Sequence, residues 1–115
     1  MAFSELELKR ITKAVGQFMS RRRPDPAIRH KVDFGYHIRG HSLELFEIRP
    51  DWRDKTVVHH VPFAKITFVR TTNAWRLFWM RADLKWHAYP PAPYVDTVEE
   101  ALSLIDEDAN CCFFG

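Results

Sequence analysis

The feature that most constrains this fold is a strict alternation of apolar and polar residues beginning at residue 32. Apolar side chains occupy every even position from 32 to 38, and polar residues or glycine stand between them. A period of two is typical of a β-strand with one buried face. The dipeptide Gly40-His41 can form a two-residue turn, so residues 42–49 are expected to return as an antiparallel partner.

The turn also predicts the register of this hairpin. Because side chains alternate between faces, apolar residues of the two strands should meet on one face, together with one carboxylate from the return strand. The predicted pairs are Ile38 with Leu43, Tyr36 with Leu45, and Phe34 with Glu47.

Two helices are predicted to flank the strands. Residues 4–7 (Ser-Glu-Leu-Glu) match a capping box, and apolar residues then recur at helical spacing, which predicts an amphipathic helix over about residues 5–22. Pro24 should end it. A second capping box at residues 97–100 predicts a shorter helix that reaches about Asp108.

The middle of the chain is predicted to form further strands. Thr72-Asn73 as a turn would place Phe68 opposite Leu77, Ile66 opposite Trp79 and Lys65 opposite Met80. The predicted segments are strands at residues 57–61 (ended by Pro62), 63–70 and 75–81, an extended segment at 84–89, and a stiff proline-rich connector at 90–93.

Length and composition indicate one α+β domain over residues 1–115. A chain of 115 residues with 46% apolar and 14% aromatic residues can bury one core. The order of elements predicts an antiparallel β-meander of about four to six strands flanked by an N-terminal and a C-terminal helix. The net charge of +2 is only mildly basic, so local clusters must carry any electrostatic argument.

The sequence favours the cytoplasm over a membrane or an exported location. No apolar run approaches the roughly 20 residues that span a bilayer, and the first residues lack the features of a signal peptide. Cys111 and Cys112 are adjacent, so a bond between them would close a strained ring, and both are expected to be free thiols.

Three segments of the chain resemble one family. They are residues 3–11 (Phe-Ser-Glu-Leu-Glu-Leu-Lys-Arg-Ile), residues 46–53 (Phe-Glu-Ile-Arg-Pro-Asp-Trp-Arg), and residues 79–87 (Trp-Met-Arg-Ala-Asp-Leu-Lys-Trp-His) together with the Cys-Phe-Phe-Gly ending. The family is domain of unknown function 3024, a set of short, uncharacterised bacterial proteins. The resemblance implies a stand-alone cytoplasmic bacterial protein and supplies no activity, cofactor or catalytic residue.

A basic and aromatic composition favours nucleic acid as the ligand. Clustered Lys and Arg neutralise phosphates, and exposed rings stack on bases. The alternative is that Trp75 and Trp79 belong to the core and the arginines are simply solvated. The residues predicted to bind nucleic acid are Arg21, Arg22, Arg23, Arg29 and Lys31, with His30 beside them, and Lys85, Trp86 and His87 in the tryptophan-rich stretch 75–89.

A metal-dependent hydrolase is the first alternative. Asp33 followed by Glu47-Ile48-Arg49 resembles the acidic pair and basic residue of restriction-type nucleases. However, arginine stands where lysine is usual and does not give up a proton. In the predicted register Asp33 and Glu47 also point to opposite faces, so Glu47 is otherwise expected to pair with a basic residue.

The spacing of the residues predicts no metal, cofactor or catalytic residue. The six histidines lack the paired spacing of zinc ligands, although His37 and Glu44 should face each other on the hairpin. The glycines form no phosphate-binding loop, and no serine lies in a nucleophile elbow.

A protein-interaction module is the remaining alternative, with another protein or a second copy as partner. Trp52, Trp86 or the tail residues Phe113 and Phe114 would be its anchors, and a homodimer would fit this hypothesis. The opposing expectation is that both phenylalanines fold back onto the core. The leading hypothesis remains a non-enzymatic binding domain for nucleic acid.

Overall fold

The computed structural model describes residues 3–108 and Phe113. It has an antiparallel sheet with a helix from each end of the chain, which confirms the α+β class. The elements in chain order are α1 (Glu5–Arg22), a 3₁₀ turn (Pro26–Ile28), β1 (Asp33–Arg39), β2 (Ser42–Pro50), β3 (Val58–Val69), β4 (Ala74–Met80), β5 (Trp86–Ala88), β6 (Tyr94–Val95) and α2 (Val98–Glu107).

The sheet is a meander in the order β1-β2-β3-β4-β5. The far edge of β4 is shared by two short strands, because β5 pairs with residues 78–80 and β6 pairs with residues 75–76. The short strand β6 follows the proline-rich connector and was not predicted. Its two residues carry too little pattern to be recognised as a strand.

The first hairpin forms as predicted. Gly40 has a φ of 58°, a left-handed conformation that glycine adopts without steric cost. The three predicted pairs are all present: Ile38 with Leu43, Tyr36 with Leu45, and Phe34 with Glu47.

The prediction of two strands separated by Pro62 is wrong, since β3 runs without a break from Val58 to Val69. The register against β2 shifts between Leu45 and Phe46, so that Leu45 faces Ala64 while Phe46 faces Pro62. A β-bulge of this kind accepts a proline inside a strand, because the ladder is already interrupted there.

The predicted register between β3 and β4 is also wrong, by two residues. Phe68 faces Trp75 and Ile66 faces Leu77, because the connection is a four-residue loop over residues 70–73 rather than the dipeptide Thr72-Asn73. Asn73 adopts a φ of 52° in this loop. A slip of two residues keeps each side chain on its predicted face, so the face assignment is right although the partners differ.

The two helices cover one face of the sheet, here called the helix face. Ser4 caps α1 in the predicted capping box with Glu7, and Thr97 caps α2 by accepting a hydrogen bond from the Glu100 N–H. Apolar residues of α1 and α2 share one core with side chains of β2, β3 and β4. Trp75 is buried in this core and Trp79 packs against it, as expected of core tryptophans.

The end of the chain returns to the same core at one described position. Phe113 is buried, with its ring centroid 5.0 Å from that of Tyr89, so its predicted return to the core is confirmed. Phe114 and the cysteines Cys111 and Cys112 lie outside the described residues. Within residues 3–108, neither helix is long and apolar enough to cross a membrane.

Candidate nucleic-acid interface

The face of the sheet opposite the helices, here called the outer face, carries basic and aromatic side chains in adjacent rows. It is defined by the strand positions that alternate with the core residues. One row aligns Thr67, Arg76 and Tyr94, and the next aligns Lys65 with Phe78. Trp86 stands on the neighbouring strand, opposite Met80.

The cations of this face lie directly over its rings. The Lys65 Nζ is 5.0 Å from the ring centroid of Phe78 and 5.3 Å from that of Trp86. The Arg76 Cζ is 4.7 Å from the Phe78 centroid and 5.7 Å from that of Tyr94. Such contacts contribute about 0.5–1 kcal/mol each at exposed sites, so they hold the cations in place without neutralising them.

These charges are also available to a ligand. Among the described residues, no carboxylate lies within 4.0 Å of the charged nitrogens of Lys65 or Arg76, although Glu44 stands opposite Lys65 in the register. Glu44 instead bonds to His37, whose Nε2 lies 3.1 Å from its Oε2. Four of the residues, Lys65, Arg76, Phe78 and Trp86, are half-exposed, and Tyr94 is exposed.

A second aromatic group extends the outer face along β2 and β3. The rings of Phe46 and His60 are stacked with centroids 4.5 Å apart, and His37 lies 5.6 Å from Phe46 on its other neighbouring strand. Phe46 is buried, yet it is not part of the core beneath the helices. Its ring lies across Gly35, where any added Cβ would stand 2.8 Å from the Phe46 Cε1.

Comparison with known proteins decides the family. The family model described as Domain of unknown function (DUF3024) matches residues 3–115. The chain belongs to the DUF3024 family. No curated protein and no solved structure gives a significant match to it.

In this DUF3024 chain, the three arginines at the end of α1, which belong to the predicted basic cluster, all form ion pairs. Arg21 and Arg22 both donate to Asp106 of α2, over 3.2 and 2.6 Å. Arg23 bonds to Asp33 through two nitrogens, and this guanidinium lowers the pKa of the Asp33 carboxyl. These arginines therefore join elements of the fold, and Arg21 and Arg22 do so on the helix face, through α2.

Of the remaining residues of that cluster, His30 and Lys31 lie near the tip of the β2–β3 hairpin. Arg29 donates from its Nε to the backbone oxygen of Pro24. His30 and Lys31 are exposed and border a cleft with Trp52. The structure thus separates the predicted cluster into a paired part and an exposed part.

The second predicted group, Lys85, Trp86 and His87, is divided by strand alternation. Trp86 lies on the outer face, whereas its neighbour His87 stands opposite Trp79 on the helix face. The His87 Nε2 is 2.9 Å from Asp83 Oδ2, and this contact lowers the pKa of Asp83. Lys85 is exposed in the turn between β4 and β5.

Of the five basic and aromatic residues described first on the outer face, only Trp86 belonged to the predicted site. Lys65, Arg76, Phe78 and Tyr94 come from three strands, and no two of them are adjacent in the sequence. A usable signal was present in the alternation. Lys65, Arg76 and Phe78 take the positions opposite in parity to the core residues Ile66 and Leu77. Their closeness depends on the register of β3 and β4, which the predicted two-residue turn misplaced.

The residues proposed for a hydrolase occupy separate ion pairs. The Arg49 Nε donates to Glu47 Oε2 over 2.6 Å, so Glu47 pairs with a basic residue on its own strand. Asp33 is held by Arg23 and points to the other face of the sheet. Within residues 3–108 and Phe113, no three His, Cys, Asp or Glu side chains converge in a way that could hold a metal ion.

Proposed function

We propose that this DUF3024 chain is a non-enzymatic domain that binds single-stranded nucleic acid on the outer face of its sheet. The observation that carries the proposal is the placement of Lys65 and Arg76 over the half-exposed ring of Phe78, on the face that the two helices leave uncovered. Rings of this kind stack on bases and the adjacent cations neutralise phosphates.

Single strands suit this surface better than a duplex. The π-faces of bases are buried by their neighbours in a double helix, so a stacking ring reaches them only in single strands, loops or ends. The sheet presents Phe78, Trp86 and Tyr94 on one face, where successive bases can lie against them. Stacking is tolerant of base identity, and we therefore expect little sequence preference.

The test is a titration of labelled single- and double-stranded oligonucleotides, both DNA and RNA, followed by fluorescence anisotropy at about 50 mM salt. We expect single strands to bind and the double variant Lys65→Gln/Arg76→Gln to bind at least tenfold more weakly. Loss of two phosphate contacts should also reduce the slope of log affinity against log salt by about 1.4.

The matched control is the double variant Lys9→Gln/Lys13→Gln, which removes the same charge from exposed positions of α1. It should bind single strands almost as the unmodified protein does. The proposal fails if no oligonucleotide binds at low salt, if binding is indifferent to salt, or if the control loses as much affinity as the outer-face variant.

We further propose that the protein acts in the bacterial cytoplasm. The support is chemical: single-stranded RNA and transiently unpaired DNA are both available there. Fractionation of cells producing the tagged protein, with nuclease treatment of the lysate, tests this placement. Recovery with the membrane or periplasmic fraction would count against it.

A further inference from the structure

The tip of the β2–β3 hairpin carries an exposed aromatic side chain. Because β4 pairs only with residues 64–69 of β3, the other half of this hairpin projects beyond the part of the sheet that β4 reaches. The loop at its end places Trp52 in solvent with 80% of its surface exposed. An exposed tryptophan of this degree contributes almost nothing to the core.

Hydrogen bonds to its acidic residues hold the conformation of the loop. Asp51 Oδ2 accepts hydrogen bonds from the backbone N–H groups of Arg53 and Asp54, both over 3.1 Å. Asp54 accepts from both the backbone and the hydroxyl of Thr56. The two carboxylates are therefore engaged in shaping the loop.

The basic residues of the tip remain available. The Arg53 Cζ lies 4.7 Å from the Trp52 ring centroid, which repeats the cation-over-ring arrangement of the outer face. Lys31, Lys55 and His30 border the cleft beside Trp52, and in the described part of the chain no carboxylate pairs with either lysine. The charged basic residues of the tip are Arg53, Lys31 and Lys55. They outnumber the two carboxylates, Asp51 and Asp54, so the tip has an excess of positive charge.

The cleft shares one residue with the outer face. Pro50, the last residue of β2, has outer-face parity and lines the same cleft as Trp52. Between this end and Arg76, the face carries the stacked rings of Phe46 and His60. From Ser42 to Pro50 the strand advances about 27 Å at roughly 3.4 Å per residue.

We propose that one nucleic-acid strand runs along this face from the Arg76–Tyr94 end to a second stacking position on Trp52. The inference rests on the proposed function and adds the path and length of the site. At a stacked rise of about 3.4 Å per base, about eight nucleotides cover this distance, and fewer suffice for an extended backbone. A strand of four nucleotides then occupies the outer face without reaching Trp52.

The test compares labelled oligothymidylates of four and twelve nucleotides with the full chain and its variants. Trp52→Ala should lower the affinity for the twelve-mer about tenfold and leave the four-mer within about twofold, because one base loses its stacking partner. Trp52→Phe keeps a ring and should retain most of the affinity. Leu6→Ala, at a residue that is 79% exposed on α1, is the matched control and should change neither.

The outcomes separate this inference from the proposed function. If the unmodified protein binds neither oligonucleotide, the proposed function itself fails. If it binds both and Trp52→Ala binds the twelve-mer as tightly as the unmodified protein, only the second stacking position is overturned. An equal loss for the four-mer and the twelve-mer would overturn the path along the strands.

Discussion

Gly35 is the residue whose missing side chain lets the Phe46 ring lie close to the backbone of β1. An added Cβ would lie 2.8 and 2.9 Å from two carbons of the Phe46 ring and 3.3 Å from the Ile48 Cδ1. Gly35 has no left-handed backbone, so the requirement for glycine is one of space alone. The ring lies over this strand because no side chain stands there.

Gly35→Ala is therefore expected to destabilise the fold by about 1–3 kcal/mol, since the Phe46 ring must move off its stacked partner His60. Urea unfolding measures the change in the free energy of unfolding. Gly16→Ala is the matched control. Its Cβ would meet nothing within 4 Å in the middle of α1, and it should stabilise the fold by about 0.5–1 kcal/mol. Equal effects of the two substitutions would show that Phe46 yields without cost.

The sequence predicted local features that depend on single residues better than it predicted contacts between strands. The Ser4–Glu7 box and the Gly40 turn require particular side chains at fixed local spacing, and both were predicted correctly. Pro62 was misjudged for the opposite reason. Its effect depends on the bulge opposite Phe46, which belongs to another strand.

At the level of elements, one ion pair fastens the start of α1 to the β3–β4 loop. Arg70 donates from Nη2 to Glu7 Oε1 over 2.9 Å, and the Ser4 N–H donates to the same carboxylate. These bonds lower the pKa of Glu7 from its ordinary value of 4.5 to about 2. A carboxyl with a depressed pKa stabilises the folded state above its unfolded pKa, and the effect disappears as the pH falls toward 2.

Glu7→Gln should thus lower stability by a constant amount above about pH 5, and the difference from the unmodified protein should shrink between pH 4.5 and 2. Glutamine preserves the acceptor that the capping box needs, so the substitution isolates the charge. Urea unfolding at a series of pH values gives the comparison, with Glu5→Gln in the same turn as control. A difference that persists unchanged to pH 2.5 would assign the effect to packing.

The strands illustrate why the candidate site was only partly predictable. Alternation assigns faces, and it correctly set Ile66 and Leu77 on the core side. Partners across β3 and β4 depend on the length of a loop whose residues, Thr71, Thr72 and Asn73, permit several turns. Trp86 was predicted from composition alone, whereas Lys65 and Phe78 needed the register.

For the molecule as a whole, the ion pairs formed on folding decide which basic residues stay unpaired, and the density of basic residues along the sequence does not. The arginine run at residues 21–23 looks like the most basic part of the chain, but its partners Asp106 and Asp33 come from α2 and β1. Contacts between residues some 85 positions apart cannot be read from local composition. The fold pairs this run with carboxylates, whereas no carboxylate among the described residues pairs with Lys65 or Arg76.

The double variant Arg21→Gln/Arg22→Gln tests that distinction. It should cost about 1 kcal/mol of stability, because it breaks the partly exposed link between α1 and Asp106. Its affinity for single-stranded oligonucleotides should stay within about twofold of the unmodified protein. A tenfold loss, with the fold intact by circular dichroism, would instead place the interface at the end of α1.

The projecting half of β3 has a consequence for how copies of this protein behave when crowded. Residues 58–62 are paired with β2 on one side, and no described strand covers the other side of residues 58–63. Open strand edges are templates for edge-to-edge aggregation. Here Pro62 removes one donor, the bulge disrupts the spacing of the rest, and His59 and His60 add polar side chains. The chain can therefore keep a long hairpin in solvent without offering a regular edge to its own copies.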